Sequence, residues 1–152
     1  MRYAHTNIIA NDWKSLSQFY IQVFECTILP PVRNQSGAWL SVGTGVANAH
    51  LQGVHLLLPG HGPDGPTLEI YQYAMIIPSN PMAPNQRGYG HLAFEVENVD
   101  HTLTQIIENG GSSIGTVTTK IIAGVGEITF VYARDPEGNI LEIQHWDRSK
   151  MI

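Results

Sequence analysis

The stretch HTNIIANDWKSLSQFYIQVF, residues 5–24, decides how the rest of the chain reads. Its first five residues form an apolar-rich segment opened by a histidine. Asn11 and Asp12 follow as helix N-cap candidates, because a short oxygen-bearing side chain satisfies the free N–H groups of a first turn. Leu16, Phe19, Tyr20, Val23 and Phe24 then fall at i, i+3, i+4, i+7 and i+8, the apolar stripe of an amphipathic helix. The same order returns at residues 91–107, HLAFEVENVDHTLTQII. There Asn98 and Asp100 are the cap candidates, Val99, Leu103, Ile106 and Ile107 form the stripe, and Gly110-Gly111 stops the helix.

The ends of the two halves also match. The first closes on TLEIYQY at 67–73 and the second on ILEIQHW at 140–146, each a short strand-like run carrying a glutamate. Between helix and closing run, β-like stretches stand at Ala38–Val42 and Val54–Leu58 in the first half, and at Ser113–Thr119 and Ile128–Ala133 in the second. The segment Asp135-Pro136-Glu137-Gly138-Asn139 reads as a tight hairpin connection. Each half therefore reads β-α-β-β-β. Pro78–Gly90, rich in Pro, Gly and Asn, reads as the join. The expected layout is a first module over 1–80, a linker over 81–90 and a second module over 91–152, together one structural domain of the α+β class. His5 to His91 is an offset of 86, whereas Glu69 to Glu142 is an offset of 73, so the first half carries thirteen extra residues, partly in the Gly/Pro/His-rich loop Pro59–Pro66.

Composition narrows the function. A chain of 152 residues is long enough for a real core without disulfides. Eight Lys and Arg against thirteen Asp and Glu leave a formal charge of −5, which argues against nucleic acid and against an anionic membrane surface. The lone cysteine, Cys26, excludes an internal disulfide and a Cys-rich zinc site, and reads as packing. No run approaches a membrane span, and the N-terminus has no apolar leader core, so a soluble cytoplasmic protein is expected.

Four residues carry chemistry. A histidine opens the first strand of each half, His5 and His91, and a glutamate sits in the last strand of each half, Glu69 and Glu142. Strand side chains alternate between faces, so each glutamate points away from the face that its apolar neighbours bury. If a pseudo-twofold relates the halves, two imidazoles and two carboxylates meet at its axis. That donor set suits one divalent ion, Zn, Ni, Co, Fe or Mn. Four protein ligands leave room in an octahedral shell for a substrate with adjacent oxygens, whose enediolate the metal stabilises when a proton leaves carbon.

The segments HTNIIANDWKSLSQFY, LEIYQY, GHLAFEV and YARDPEGNILEIQHW together resemble the vicinal oxygen chelate superfamily. This group holds glyoxalase I, methylmalonyl-CoA epimerase, extradiol dioxygenases, fosfomycin-resistance enzymes and bleomycin-resistance proteins. The resemblance covers nearly the whole chain. It implies two tandem βαβββ modules whose curved mixed sheets form a metal-containing cleft, with His5, Glu69, His91 and Glu142 at the family's ligand places. It also implies a small-molecule substrate with vicinal oxygens and a homodimer. Extradiol dioxygenases and fosfomycin-resistance enzymes use a His, His, Glu triad, here His5, His91 and Glu142. A ligand at the Glu69 place favours the glyoxalase-like or epimerase-like group, although no Asp or Glu lies between Glu25 and Asp64 to match the epimerase's additional glutamate.

Three function classes follow. The first is a glyoxalase-like lyase or isomerase in which Glu69 or Glu142 is the base. The second is a non-haem Fe(II) extradiol-type dioxygenase, and the third a binding or resistance protein without turnover. Among the remaining residues, His50, His55 and Tyr71 are candidates for a substrate pocket, His55 or His50 as a proton shuttle. Tyr73 shares the face of Glu69. His61, His101 and His145 read as lying outside the site, and Trp13, Trp39 and Trp146 as core or interface anchors. Ile121–Glu127 reads as a flap or as a hairpin loop.

Overall fold

The computed structural model describes residues 1–150, which fall into two compact units that divide after Ser79. The first holds β1 (His5–Ile9), α1 (Trp13–Phe24), β2 (Thr27–Ser36), α2 (Ala38–Thr44), β3 (His50–Leu57) and β4 (Thr67–Tyr73). Its sheet runs in the order β1-β4-β3-β2, with β1 parallel to β4 and the other pairs antiparallel. The second holds β5 (Leu92–Glu95), α3 (Val99–Glu108), β6 (Ser112–Ser113), β7 (Thr118–Ile122), β8 (Gly126–Arg134) and β9 (Ile140–Asp147), closed by a 3-10 turn at Arg148–Lys150. Its sheet repeats the path as β5-β9-β8, and both β6 and β7 pair with β8. The class is α+β with two mixed sheets, as the periodicity predicts.

Each unit builds its core from one helix on one sheet face. In the first, Leu16, Phe19, Tyr20, Val23 and Phe24 of α1 are buried, and α1 packs on β3 and β4, where Val54, Leu56, Leu68 and Ile70 are also buried. Phe19 meets Tyr20 edge-on, with ring centroids 5.2 Å apart. In the second, Val99 and Ile106 of α3 are buried, and α3 packs on β8 and β9, which bury Val131, Ala133, Leu141 and Ile143. Full burial of such a side chain stabilises by about 1.5–3 kcal/mol. Both helices start on side-chain caps. Asp12 accepts from the N–H groups of Lys14 and Ser15 at 3.0 and 3.2 Å, and Asn98 accepts from that of His101 at 2.9 Å. Asp12 and Asn98 are 86 residues apart, the spacing of His5 and His91, so the repeat keeps step from first strand to helix.

Three expectations change. Ala38–Val42 is not a strand but lies in α2, which Gly37 enters at φ +106° and Gly45 closes at φ +71°. The strand belonging there is β2, hidden from a propensity reading by Pro30 and Pro31. It tolerates both because it is the sheet edge, and because its register with β3 breaks between Leu29 and Arg33. Ser113–Thr119 is not one strand but two, β6 and β7. The N–H groups of Ile114 and Gly115 both turn to the carbonyl of Tyr132, at 2.9 and 3.2 Å, and interrupt the ladder. Trp39 is not a core anchor: it is 63% exposed on α2, while Leu40 turns inward at 6%. Trp13 and Trp146 are half-buried.

The other local readings correspond to observed structure. Asp135 accepts from the N–H groups of Glu137 and Asn139 at 3.0 and 2.9 Å, with Gly138 at φ +91°, and so ties the β8–β9 turn. Ile121–Glu127 spans the β7–β8 hairpin, where Val125 N–H donates to the Ile122 carbonyl at 3.0 Å. Cys26 is 1% exposed, and burial pushes its thiol up to about 12, so it is a packing residue.

Candidate functional site

The strand registers place the expected residues before any side chain is considered. In the first unit Asn7 of β1 stands beside Glu69 of β4, so His5, two residues earlier, shares the face of Glu69. In the second, Ala93 of β5 stands beside Glu142 of β9, and His91 is again two residues earlier. The histidine and the glutamate thus hold equivalent positions in the two sheets, both on the face away from the helix. Side-chain geometry agrees. His5 Nδ1 lies 3.3 Å from Glu69 Oε1, and His91 Nε2 lies 2.8 Å from Glu142 Oε2. The glutamate side chains are nearly enclosed, at 9% and 13% exposure, whereas those of the histidines remain open at 47% and 28%.

The first face is richer than the second. His55 of β3 stands directly opposite Glu69, and its Nε2 lies 3.2 Å from the same Oε1 that His5 approaches. That Nε2 is also 2.5 Å from the Tyr71 hydroxyl. It donates to the carboxylate or accepts from the phenol according to tautomer. Burial pulls the His55 pKa below its usual 6.5 against the opposing pull of Glu69, so the ring is neutral at pH 7. Burial, reinforced by the charge of Glu69, pushes the Tyr71 phenol up to about 12, so it keeps its proton. Tyr71 reaches His55 because the residue opposite it is Gly53: a Cβ there would come 2.5 Å from the Tyr71 ring and 2.1 Å from the Ile70 carbonyl. Beyond this group, Tyr71 and Tyr73 pack against Leu40, Ala49 and Leu51, so α2 lies over one end of the face.

His50 is the pocket candidate that the structure sets apart. It is five residues from His55 in one strand, so it faces the other side of the sheet. There it is exposed, hydrogen-bonds Asn34 Oδ1 at 2.8 Å and lines a shallow pocket with Gln52, Gln72, Tyr73 and Ala74. His145 meets the Val96 carbonyl at 2.9 Å, and His61 and His101 are exposed. Two neighbours escaped the sequence reading. Tyr132 of β8 stands opposite Glu142, as His55 does opposite Glu69, and its ring lies 4.7 Å from that of His91. Arg33 of β2 stands opposite Gly53 and so in one row with Tyr71 across the sheet. The repeat would have identified Tyr132, but His55 precedes its glutamate by fourteen residues and Tyr132 by only ten.

The donor chemistry fits a divalent ion. Two ligands bound at about 2.0–2.2 Å and at right angles stand about 3 Å apart. The His–Glu pairs, at 3.3 and 2.8 Å, have that spacing. Among the described residues, no group of three or more His, Cys, Asp or Glu side chains is arranged to hold a metal ion.

A profile of the Glyoxalase/Bleomycin resistance protein/Dioxygenase superfamily matches residues 2–143, and the chain belongs to that superfamily. Solved structures share the fold. A glyoxalase family protein from Bacillus cereus aligns with a TM-score of 0.75 at 17% identity, over 96% of this chain and 93% of its own. A glyoxalase family protein from Enterococcus faecalis aligns with a TM-score of 0.59 at 23% identity, over 94% and 96%. The fosfomycin resistance protein FosX from Listeria monocytogenes, complexed with Mn(II) and sulfate, aligns with a TM-score of 0.51 at 14% identity, over 99% and 94%. No curated protein sequence matches the chain. Among the described residues no helix is long and apolar enough to cross a membrane.

Proposed function

We propose that the chain is a metal-dependent lyase or isomerase of the glyoxalase type, moving a proton on a carbon next to a carbonyl. The observation that carries this reading is the matched register: His5 with Glu69, and His91 with Glu142, occupy equivalent places in two like sheets. These four residues are the proposed ligands of one divalent ion, Zn, Ni, Co, Fe or Mn, whose shell two adjacent oxygens of a small substrate would complete. When bound, the metal polarises those oxygens and so acidifies the neighbouring C–H.

The chain's own residues do the remaining work. His5 and His91 act as neutral nitrogen donors. Glu69 and Glu142 take the proton from carbon and return it to the same or the adjacent carbon. Two carboxylates suit that task better than one, because one can deprotonate while the other delivers. His55 Nε2, 3.2 Å from Glu69 Oε1, is placed to exchange a proton with that carboxylate. Incubation of the metal-loaded protein with hemithioacetal or 2-oxo substrates in D₂O tests the reading. Deuterium should enter at the carbon next to the carbonyl. Turnover that strictly consumes oxygen would replace this reading with the dioxygenase. Homodimeric assembly belongs to the same proposal and is checked by sedimentation.

A further inference from the structure

Arg33 is the cation of the first face. It lies on β2 opposite Gly53, which lies opposite Tyr71, so the three form one row across the sheet. Its side chain shares the sheet face of Tyr71 and His55. It is half-buried, yet among the described residues no carboxylate pairs with it. Its hydrogen-bond partner is the Pro31 carbonyl. Lys150, by contrast, is held by both Glu127 and Asp147. A guanidinium presents five N–H donors in a planar fork matched to carboxylate and phosphate oxygens, and most of these donors are uncommitted here. A charge drawn partly out of water without a counter-ion is costly, and a bound anion removes that cost.

We infer that Arg33 is a specificity-determining residue that binds an anionic oxygen group of the substrate, a carboxylate, phosphate or phosphonate, beside Tyr71. This deepens the proposed function by giving the substrate class: a small molecule with adjacent oxygens and an oxyanion. The inference rests on that reading for treating this face as the substrate's, but the anion contact itself needs no metal. The net charge of −5 does not draw anions to the chain in general, so binding depends on this local fork. The apolar group Leu40, Ala49 and Leu51 beside Tyr71 and Tyr73 bounds the space on that side and favours a small ligand.

The test titrates chelator-treated protein with methylphosphonate and, separately, with acetate, followed by nuclear magnetic resonance at the Arg33 Nε–H and at the Gly53, His55 and Tyr71 amides. Saturable shifts are expected in the wild type. Affinity should fall at least about tenfold in Arg33→Met, be partly kept in Arg33→Lys and be unchanged in Arg87→Met, whose arginine is exposed. The tighter anion identifies the group as a carboxylate or a phosphorus oxyanion. Absence of saturable shifts up to about 0.1 M of either anion, or equal affinity in a folded Arg33→Met, overturns the inference. Failure of the metal reading is separate: Mn²⁺ would then not bind the same wild-type protein, while anion binding persisted.

Discussion

At the scale of single residues, Glu69 is the most heavily engaged group. Its side chain is 9% exposed, and one oxygen faces both His5 and His55. An enclosed carboxylate is stable only with such partners, which is also what a metal ligand or a base needs. Glu142→Gln should lower kcat by at least about a hundredfold, the scale of a positioned acid or base. Glu69→Gln should keep the metal, since an amide oxygen still coordinates weakly, and lose turnover. Metal titration beside steady-state rates checks both, and a Glu142→Gln variant with wild-type rates would remove it from the chemistry. Gly53 makes a different kind of demand. The close approach of the Tyr71 ring and the Ile70 carbonyl leaves no room for a methyl group, so Gly53→Ala should destabilise by about 1–3 kcal/mol in urea unfolding and move Tyr71 off His55.

At the scale of elements, each of the two capped helices packs on one face of its own sheet. Asn98 satisfies the first turn of α3, and Asn98→Ala should cost about 1 kcal/mol, measured by thermal or urea unfolding. The equivalent cap of α1 titrates. The Ser15 hydroxyl, then the Ser15 N–H, hold Asp12 below its ordinary 3.8. A carboxylate whose folded pKa is depressed adds stability that is fully present above the unfolded value and is lost as pH falls through the folded one. The wild type should therefore lose stability relative to Asp12→Asn as pH drops below about 4, and the two melting temperatures should draw together in acid. Parallel curves would show that the cap's charge contributes nothing. α2 has no counterpart in the second unit. Of the thirteen extra residues of the first half, four lie between His55 and Glu69, where fourteen residues stand against ten in the second half. The other nine lie upstream, in the stretch that contains α2.

At the scale of the whole molecule, the two units repeat one plan, each with its own His–Glu pair. A ligand that binds only the folded chain stabilises it by RT ln(1 + [L]/Kd), about 2.7 kcal/mol at one hundred times Kd. Adding Zn²⁺ or Mn²⁺ to chelator-treated protein should raise its melting temperature, and His5→Ala or His91→Ala should each reduce that shift. A melting temperature indifferent to metal and chelator alike would favour a binding protein over a metal enzyme.

Periodicity and repetition in the sequence determined the class, the two helices with their caps, the last strand of each half and the His–Glu pair in each. These follow from local rules: a 3.6-residue stripe, a strand's two faces and a cap's hydrogen bonds. Tertiary structure decided the rest. Pro30 and Pro31 speak against a strand locally, and only the edge position of β2 admits them. His55 and His50 are alike as sequence, but pairing against Glu69 brings one to the site and alternation turns the other away. Arg33 and Tyr132 acquire their places through cross-strand register, which unequal loop lengths conceal. A residue's own neighbours in the chain set its face, whereas its partners across the sheet are set by strand pairing, which no local pattern encodes.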